Sequence, residues 1–453
     1  MQPRYWPYVA ALCLAGCAGA HPPNTLAGND GVVPSAPQAR LTTAAAGTYI
    51  KHVVIIVQEN RSFDNLFAGY PNADAHTYGY LHDGTKVTLQ QIPFQQRYLD
   101  HYLKTAIGDW DNGKMDKFDL EKSTNGALAG KYPYSYVQRS QTAPYWTMAQ
   151  QYVLADNMFP TLWGASFTAH LTLIAGTADL TPTLSEADVP TALPWGCDAP
   201  AGTKTATYNA NRVEQFGQPY APCFTQFRTM ADTLDAAGVS WKYYAPKISQ
   251  SGGSTWSSFD AIKKVRYSSD WTNRVISPPT QILSDAANGK LAGVSWVIPD
   301  ANWSDHPDYG TAYGPSWVSA VVNAIGASSA WKTTAIVVVW DDWGGWFDDA
   351  APPQKDFRGL SIRVPCLIIS PYVQPHVVHT VYEFGSVLKF VEQVFSLPAL
   401  GTQSAGYTDA RANSLLDSFD FTIAPRPYKS IPAPYPPSFF VSKAPSLRPP
   451  DNY

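Results

Sequence analysis

Two pairs of oxygen-bearing residues, Glu59-Asn60 and Asp341-Asp342, each close a short, continuous β-branched run, VVIIVQ before the first and AIVVVW before the second. A carboxylate, an amide carbonyl and two further carboxylates are the donor set of a hard divalent cation. Four acids fall within the nine residues Asp341–Asp349. Acids placed directly after a buried strand cost free energy unless a cation or hydrogen-bond donors neutralise them. Gly344-Gly345, between the acids, permits a sharp turn and close backbone approach. The bland alternatives are a polar loop in which Asn60 or Ser62 caps the next helix, and a solvated acidic loop after Trp340.

A third chemical element is Ser166, in the stretch Gly164-Ala165-Ser166-Phe167-Thr168-Ala169-His170-Leu171. Apolar helical spacing begins near Phe167, which puts Ser166 at a helix N-terminus. The positive end of the helix dipole and the unpaired N–H groups there form a seat for phosphate. A cation beside the hydroxyl lowers its pKa and turns it into a nucleophile. Taken alone, the same serine reads as an N-cap. The segment is not a GxSxG elbow, so a serine-esterase triad is not signalled. Of nine histidines, His101, His170 and His306 lie where they could serve. An imidazolium binds a phosphoryl oxygen or protonates a leaving alkoxide. His170 ranks below the other two, because a lone histidine is more often structural.

The elements that must position these groups read as a predominantly parallel sheet. Buried-strand patterns recur at Val53–Val57, Val239–Tyr244, Val294–Ile298, Ile336–Trp340 and Cys366–Ile369, with helical patterns at Phe224–Ala237, Ser316–Ala330 and Gly385–Phe395. Strands alternating with helices predict an α/β fold, a mostly parallel central sheet flanked by helices on both faces. In such sheets ligands bind beyond the carboxyl ends of the strands, where both ligand pairs fall. Tyr70–Arg97 and Ala178–Gln218 lack this periodicity and are expected to be long loop excursions of the kind that form lids.

The 453 residues are 45% hydrophobic and 15% charged, which excludes a disordered chain. A net charge of −4 with no basic block argues against nucleic acid as a partner. Arg4, an apolar stretch to Ala15 and small residues thereafter read as a signal peptide, too short to span a membrane. Leu14-Ala15-Gly16-Cys17 resembles a bacterial lipobox, which makes Cys17 the expected lipid anchor and residues 1–17 the signal. Residues 18–48, rich in Ala, Pro and Gly, are expected to be a flexible tether. Residues 49–400 are then a catalytic domain, and 401–453 a Pro-rich wrap. The expected location is exported: periplasmic or outer-membrane lipoprotein. Cys197 and Cys223 are expected to pair there, and Cys366 to be an inert core thiol.

Taken together, HVVIIVQENRSFDNLFAGYP, GASFTAHLTLIAGT, VVWDDWGGWFDD, RVPCLIISPY and YEFGSVLKFVEQVF resemble a bacterial phosphoesterase family. It contains the phosphatidylcholine-preferring phospholipases C and the respiratory-burst-inhibiting acid phosphatase, and belongs to the alkaline-phosphatase-like superfamily. The resemblance runs from about His52 to Leu400. It implies one divalent metal ion, of open identity, held by Glu59, Asn60, Ser166, Asp341 and Asp342. It also implies Ser166 as nucleophile, with His101 and His306 contacting the phosphoryl group or leaving oxygen. Trp343 and Asp349 stand where the family usually has His. Ala165, Thr168 and Ala169 replace Pro, Pro and Asn. The expected activity is phosphate-ester hydrolysis through a phosphoserine, acid-phosphatase-like. The alternatives are a phospholipase C acting on phosphodiester head groups, and a non-catalytic surface-tethered binding lipoprotein.

Overall fold

The structure, a computed structural model, describes residues 43–94, 98–123, 126–190, 194–216, 220–250, 253, 255–309 and 311–447. The expected signal segment, Cys17 and most of the expected tether lie outside these residues. Helix α1 (Thr43–Tyr49) covers the tether's last positions and packs against α5 (Phe384–Phe395).

Among the described residues, the central sheet has nine strands: β1 (His52–Gln58), β2 (Val153–Phe159), β3 (Trp241–Tyr244), β4 (Val275–Ile276), β5 (Val294–Val297), β6 (Thr334–Trp340), β7 (Val364–Ile369), β8 (His376–Val378) and β9 (Tyr382–Glu383). Their order is β4-β3-β5-β1-β6-β7-β2-β8, with β9 also alongside β2. Every pairing is parallel except the two made by β7. The five predicted strands are all present. β1 lies between β5 and β6, in register with β6 from His52↔Thr334 to Gln58↔Trp340. Val53 through Val57 are fully buried, as is all of β6, so these strands are covered on both faces. Each such side chain contributes about 1.5–3 kcal/mol on leaving water.

Two helix groups provide the cover. α2 (Arg139–Gln151) packs on α4 (Gly314–Gly326), while α3 (Ser166–Ala175) and α1 pack on α5. α3 is buried along its whole length and stops at Gly176, which takes a left-handed φ of 67°. The helix expected over Phe224–Ala237 forms only from Met230 to Ala236. A Thr229–Asp232 capping box starts it there, and Cys223 just upstream is tied to Cys197 by a disulfide.

The expectation of two structureless excursions needs correction. Asp179–Thr181, Leu184–Pro190, Thr205–Asn209 and Glu214–Gln215 form a four-stranded antiparallel sheet. Tyr78–Tyr80 and Lys86–Thr88 make a hairpin, and Gln90–Ile92 pairs with Ser135–Val137. Hydropathy misses these strands because their buried positions are partly polar. Thr205 donates to Glu186 Oε1 at 2.5 Å inside the small sheet. β2 was missed for the same reason: Asp156 interrupts it, buried and satisfied by the Asp74 N–H at 2.8 Å.

At the other end of the chain, helix Pro437–Ser442 buries Phe440 between Trp303 and Trp317. Trp331 Nε1 donates to the Arg426 carbonyl at 2.9 Å. Cys366 is buried in β7, and burial raises its thiol pKa well above the ordinary value.

Candidate active site

The end of β1 and the end of β6 meet as neighbours, which puts Glu59-Asn60 beside Asp341-Asp342. Strand alternation would point Glu59 and Asn60 to opposite faces. The chain avoids this by turning at once: Asn60 is left-handed, with φ 56°. Its N–H then donates to Asp341 Oδ1 at 2.8 Å. Gly344 lies against this turn with φ 64°, and a Cβ there would sit 2.2 Å from the Asn60 carbonyl oxygen. The close backbone approach that this glycine permits is therefore to the Asn60 carbonyl.

Ser166 opens α3 between the two strand ends. Its Oγ donates to Asp342 Oδ2 at 3.2 Å and accepts from Asn60 Nδ2 at 3.3 Å. Asn60 Nδ2 also donates to both Asp342 oxygens, at 3.0 and 3.1 Å. Ser166 is 9% exposed, whereas Glu59, Asn60, Asp341 and Asp342 are fully buried. The serine is thus the member a substrate can reach. All five residues expected to form the metal set are brought together.

His170 joins them. It lies four residues after Ser166 on the same helix face, and its Nε2 is 2.9 Å from Glu59 Oε1 and 3.8 Å from Asp341 Oδ2. Burial lowers its pKa to about 4, so the ring is neutral near pH 7 and its Nε2–H donates to Glu59. The i, i+4 spacing from Ser166 was the sequence signal that should have promoted it.

Donor chemistry and unsatisfied atoms both fit a cation. Glu59, His170 and Asp341 each offer a ligand atom within 4.8 Å of the others. Asn60 Oδ1 and Asp341 Oδ2 are buried and accept no hydrogen bond. Burial, with the neighbouring charge of Asp341, pushes the Asp342 carboxyl well above the usual carboxylate range. That is the electrostatic mark of a site short of positive charge.

A small cleft opens over Ser166, lined by Tyr98, His101, Tyr102, Thr255 and Trp256. His101 Nδ1 is 2.9 Å from the Leu99 carbonyl, which makes Nδ1 the donor and fixes the ring. His306 sits among the rings of His101 (5.8 Å), Trp256 (5.8 Å) and Tyr309 (5.4 Å). Both histidines are buried; His101 lines the cleft over Ser166, and His306 packs against His101 and Trp256, which both line it. The cleft is lined by the 98–102 and 255–256 segments, not by the two long excursions.

The positions that depart from the family pattern have local partners. Trp343 is buried edge-on to His101 at 6.3 Å. Asp349 accepts from Arg363 Nη2 at 3.0 Å and pairs with His76. Thr168 donates to Glu186 Oε2 at 2.8 Å, anchoring the start of α3 to the small sheet.

The profile of the Phosphoesterase family matches residues 50–398. Phospholipase C B of Mycobacterium tuberculosis is 24% identical, with 84% of this chain and 80% of that protein covered. Hemolytic phospholipase C of Pseudomonas aeruginosa is 24% identical, covering 88% of this chain and 60% of its own length. Among solved structures, a protein in the alkaline phosphatase superfamily from Vibrio parahaemolyticus aligns with a TM-score of 0.38 at 13% identity, covering 82% of this chain and 72% of that one. The assignment rests on the family match, which spans β1, α3 and β6 and hence every residue of the site: the chain belongs to the Phosphoesterase family and is a phosphoric ester hydrolase.

Proposed function

We propose that this hydrolase works through a phosphoserine at Ser166, with one divalent cation held by Glu59, Asn60, Asp341 and Asp342, and Ser166 itself. The observation that carries the reading is the placement of Ser166 Oγ, 3.2 Å from Asp342 and 3.3 Å from Asn60, at the start of a fully buried helix. When bound, the cation would lower the pKa of the serine hydroxyl and draw charge from the phosphoryl oxygens.

The chain's own groups do the rest. Ser166 gives its proton toward Asp342 as Oγ bonds to phosphorus in line with the departing oxygen. The P–O bond to the leaving group breaks, and His306 supplies the proton that leaves with it. The N–H groups at the start of α3 face the phosphoryl oxygens. Water then attacks phosphorus, His306 takes its proton, and the P–Oγ bond breaks as Ser166 Oγ recovers the proton held on Asp342. His101, fixed through Nδ1, directs Nε2 toward the phosphoryl group. Ser166→Ala tests the reading: it should abolish turnover of p-nitrophenyl phosphate with folding intact, and near-wild-type turnover would sink it.

Phosphate monoesters are the first substrate reading. The second, hydrolysis of phosphodiester lipid head groups, is favoured by relatives named phospholipase C and by the aromatic lining of the cleft. Comparing p-nitrophenyl phosphate with p-nitrophenyl phosphorylcholine separates them. Export as a lipoprotein anchored through Cys17 is supported by the lipobox-like Leu14–Cys17 and by the Cys197–Cys223 disulfide, which suits an oxidising compartment. Loss of membrane association in Cys17→Ala is the corresponding test. Among the described residues, no helix is long and apolar enough to cross a membrane.

A further inference from the structure

His306 lies on a loop, whereas the groups it must work with lie on strand ends and a helix. Its preceding residue, Asp305, has a left-handed φ of 74°. A non-glycine residue in that region is strained and persists only where its surroundings hold it. They do so here from three directions. Asp305 Oδ2 accepts from Tyr145 Oη of α2 at 2.6 Å and from Trp340 Nε1 at 3.1 Å. Arg61 Nε donates to the Asp305 carbonyl at 2.9 Å. The Glu59 N–H donates to the Ser304 carbonyl at 2.7 Å, and the His306 N–H to Ser304 Oγ at 3.2 Å.

Three of these partners belong to the strand ends of the site. Trp340 is the last residue of β6, directly before Asp341. Glu59 and Arg61 flank Asn60. The loop carrying His306 is therefore stitched to the same two strand ends that carry the expected metal ligands, and the buried Asp305 side chain is the link to the second of them.

Space for that link is reserved by a glycine. A Cβ on Gly314, the first residue of α4, would lie 1.9 Å from Asp305 Oδ1. Real Cβ atoms do not approach so closely, so any side chain there must displace the carboxylate.

From this geometry we infer that Asp305 is a positioning residue: it fixes His306 relative to Ser166 by tying the histidine loop to Trp340 and Tyr145. The inference rests on the reading of His306 as the proton donor to the leaving oxygen. A donor matters most where the leaving group is a poor one. An alkoxide needs its proton as the P–O bond breaks, whereas p-nitrophenolate departs without it.

The experiment compares kcat and KM for an alkyl phosphate and for p-nitrophenyl phosphate in the full-length enzyme, for wild type and His306→Ala, Asp305→Ala, Asp305→Asn, Tyr145→Phe and Gly314→Ala. Thermal unfolding is measured for each. His306→Ala should lose about 10²-fold or more in kcat on the alkyl ester and much less on the aryl ester. Asp305→Ala and Gly314→Ala should show the same leaving-group-dependent loss, at about 10-fold, with KM little changed. Tyr145→Phe should fall between them and wild type. Asp305→Asn keeps the acceptor and tolerates positive φ, so it should retain most of the alkyl activity.

The inference is overturned if His306→Ala shows the selective loss while folded Asp305→Ala and Gly314→Ala lose both substrates equally or not at all. If His306→Ala itself shows no leaving-group dependence, it is the proton-donor reading that fails. Should Asp305→Ala not fold, Gly314→Ala decides the matter, because it moves the carboxylate without removing any hydrogen-bonding group.

Discussion

Ser166 Oγ donates to Asp342 Oδ2 at 3.2 Å, across 176 residues of chain. The contact exists because β1 and β6 are sheet neighbours and α3 begins opposite their ends. On the proposed reading, the serine's reactivity then depends on carboxylates that its own segment does not carry.

Replacing that serine should therefore be catalytically severe and structurally mild. Ser166→Ala is expected to lower kcat by about 10³-fold or more, in line with removal of a nucleophile. Ser166 is the group's most exposed member, at 9%, so the unfolding midpoint should hardly move. Initial rates and a thermal melt on one preparation check both halves.

Removing the cation should do the reverse, weakening fold and activity together. A cation bound at 100 times its dissociation constant stabilises the native state by about 2.7 kcal/mol. Protein stripped by chelation and shown metal-free by elemental analysis should be inactive and melt earlier, and a single divalent metal should restore both. Full activity in the metal-free protein would refute the site. His170→Gln, which disturbs the 2.9 Å contact with Glu59, should weaken metal affinity about 10–100-fold.

A second cluster should matter for stability alone. Arg363 is fully buried, with Asp348 at 2.8 Å, Asp349 at 3.0 Å and Asp64 at 3.7 Å. Arg363→Met leaves three acids without their shared counter-charge, and removing one partner of such a set costs about 3–5 kcal/mol. Urea unfolding should show that loss; a cost below about 1 kcal/mol would mean that the acids simply take up protons.

Asp260 should make stability fall as pH rises. Burial first, then the charge of Asp198, pushes its carboxyl up to about 8, from an ordinary 3.8. A folded-state pKa above the unfolded one means that the native state holds the proton more tightly. The stability it confers is complete below about pH 4 and is lost as pH climbs to about 8. Asp260→Asn should thus stabilise the protein by a few kcal/mol at pH 8 and leave it unchanged at pH 4. Equal effects at the two pH values would contradict this.

The strands that carry the site were legible because β1 and β6 are uninterrupted runs of β-branched residues, and the acids at their ends stand out against that background. Ser166 was legible from the onset of helical spacing. His170 was undervalued because its partner, Glu59, lies 111 positions away, and only the fold shows that a buried imidazole there has a carboxylate to meet. The small antiparallel sheet escaped notice because its interior is threonine and glutamate, whose burial is stabilised by one another's hydrogen bonds. The role of Gly344 was half read: the need for a glycine was visible, but not that the Asn60 carbonyl is what crowds it.

On the proposed reading, the parallel pairing of β1 with β6 also decides when the ligand set is complete. A growing or partly folded chain that has made β1 but not β6 holds only Glu59 and Asn60. It lacks both carboxylates at the end of β6, so Ser166 has only Asn60 to meet. The proposed ligand set is complete only when one strand pair has closed, and its last facing residues, Gln58 and Trp340, lie far apart in the chain.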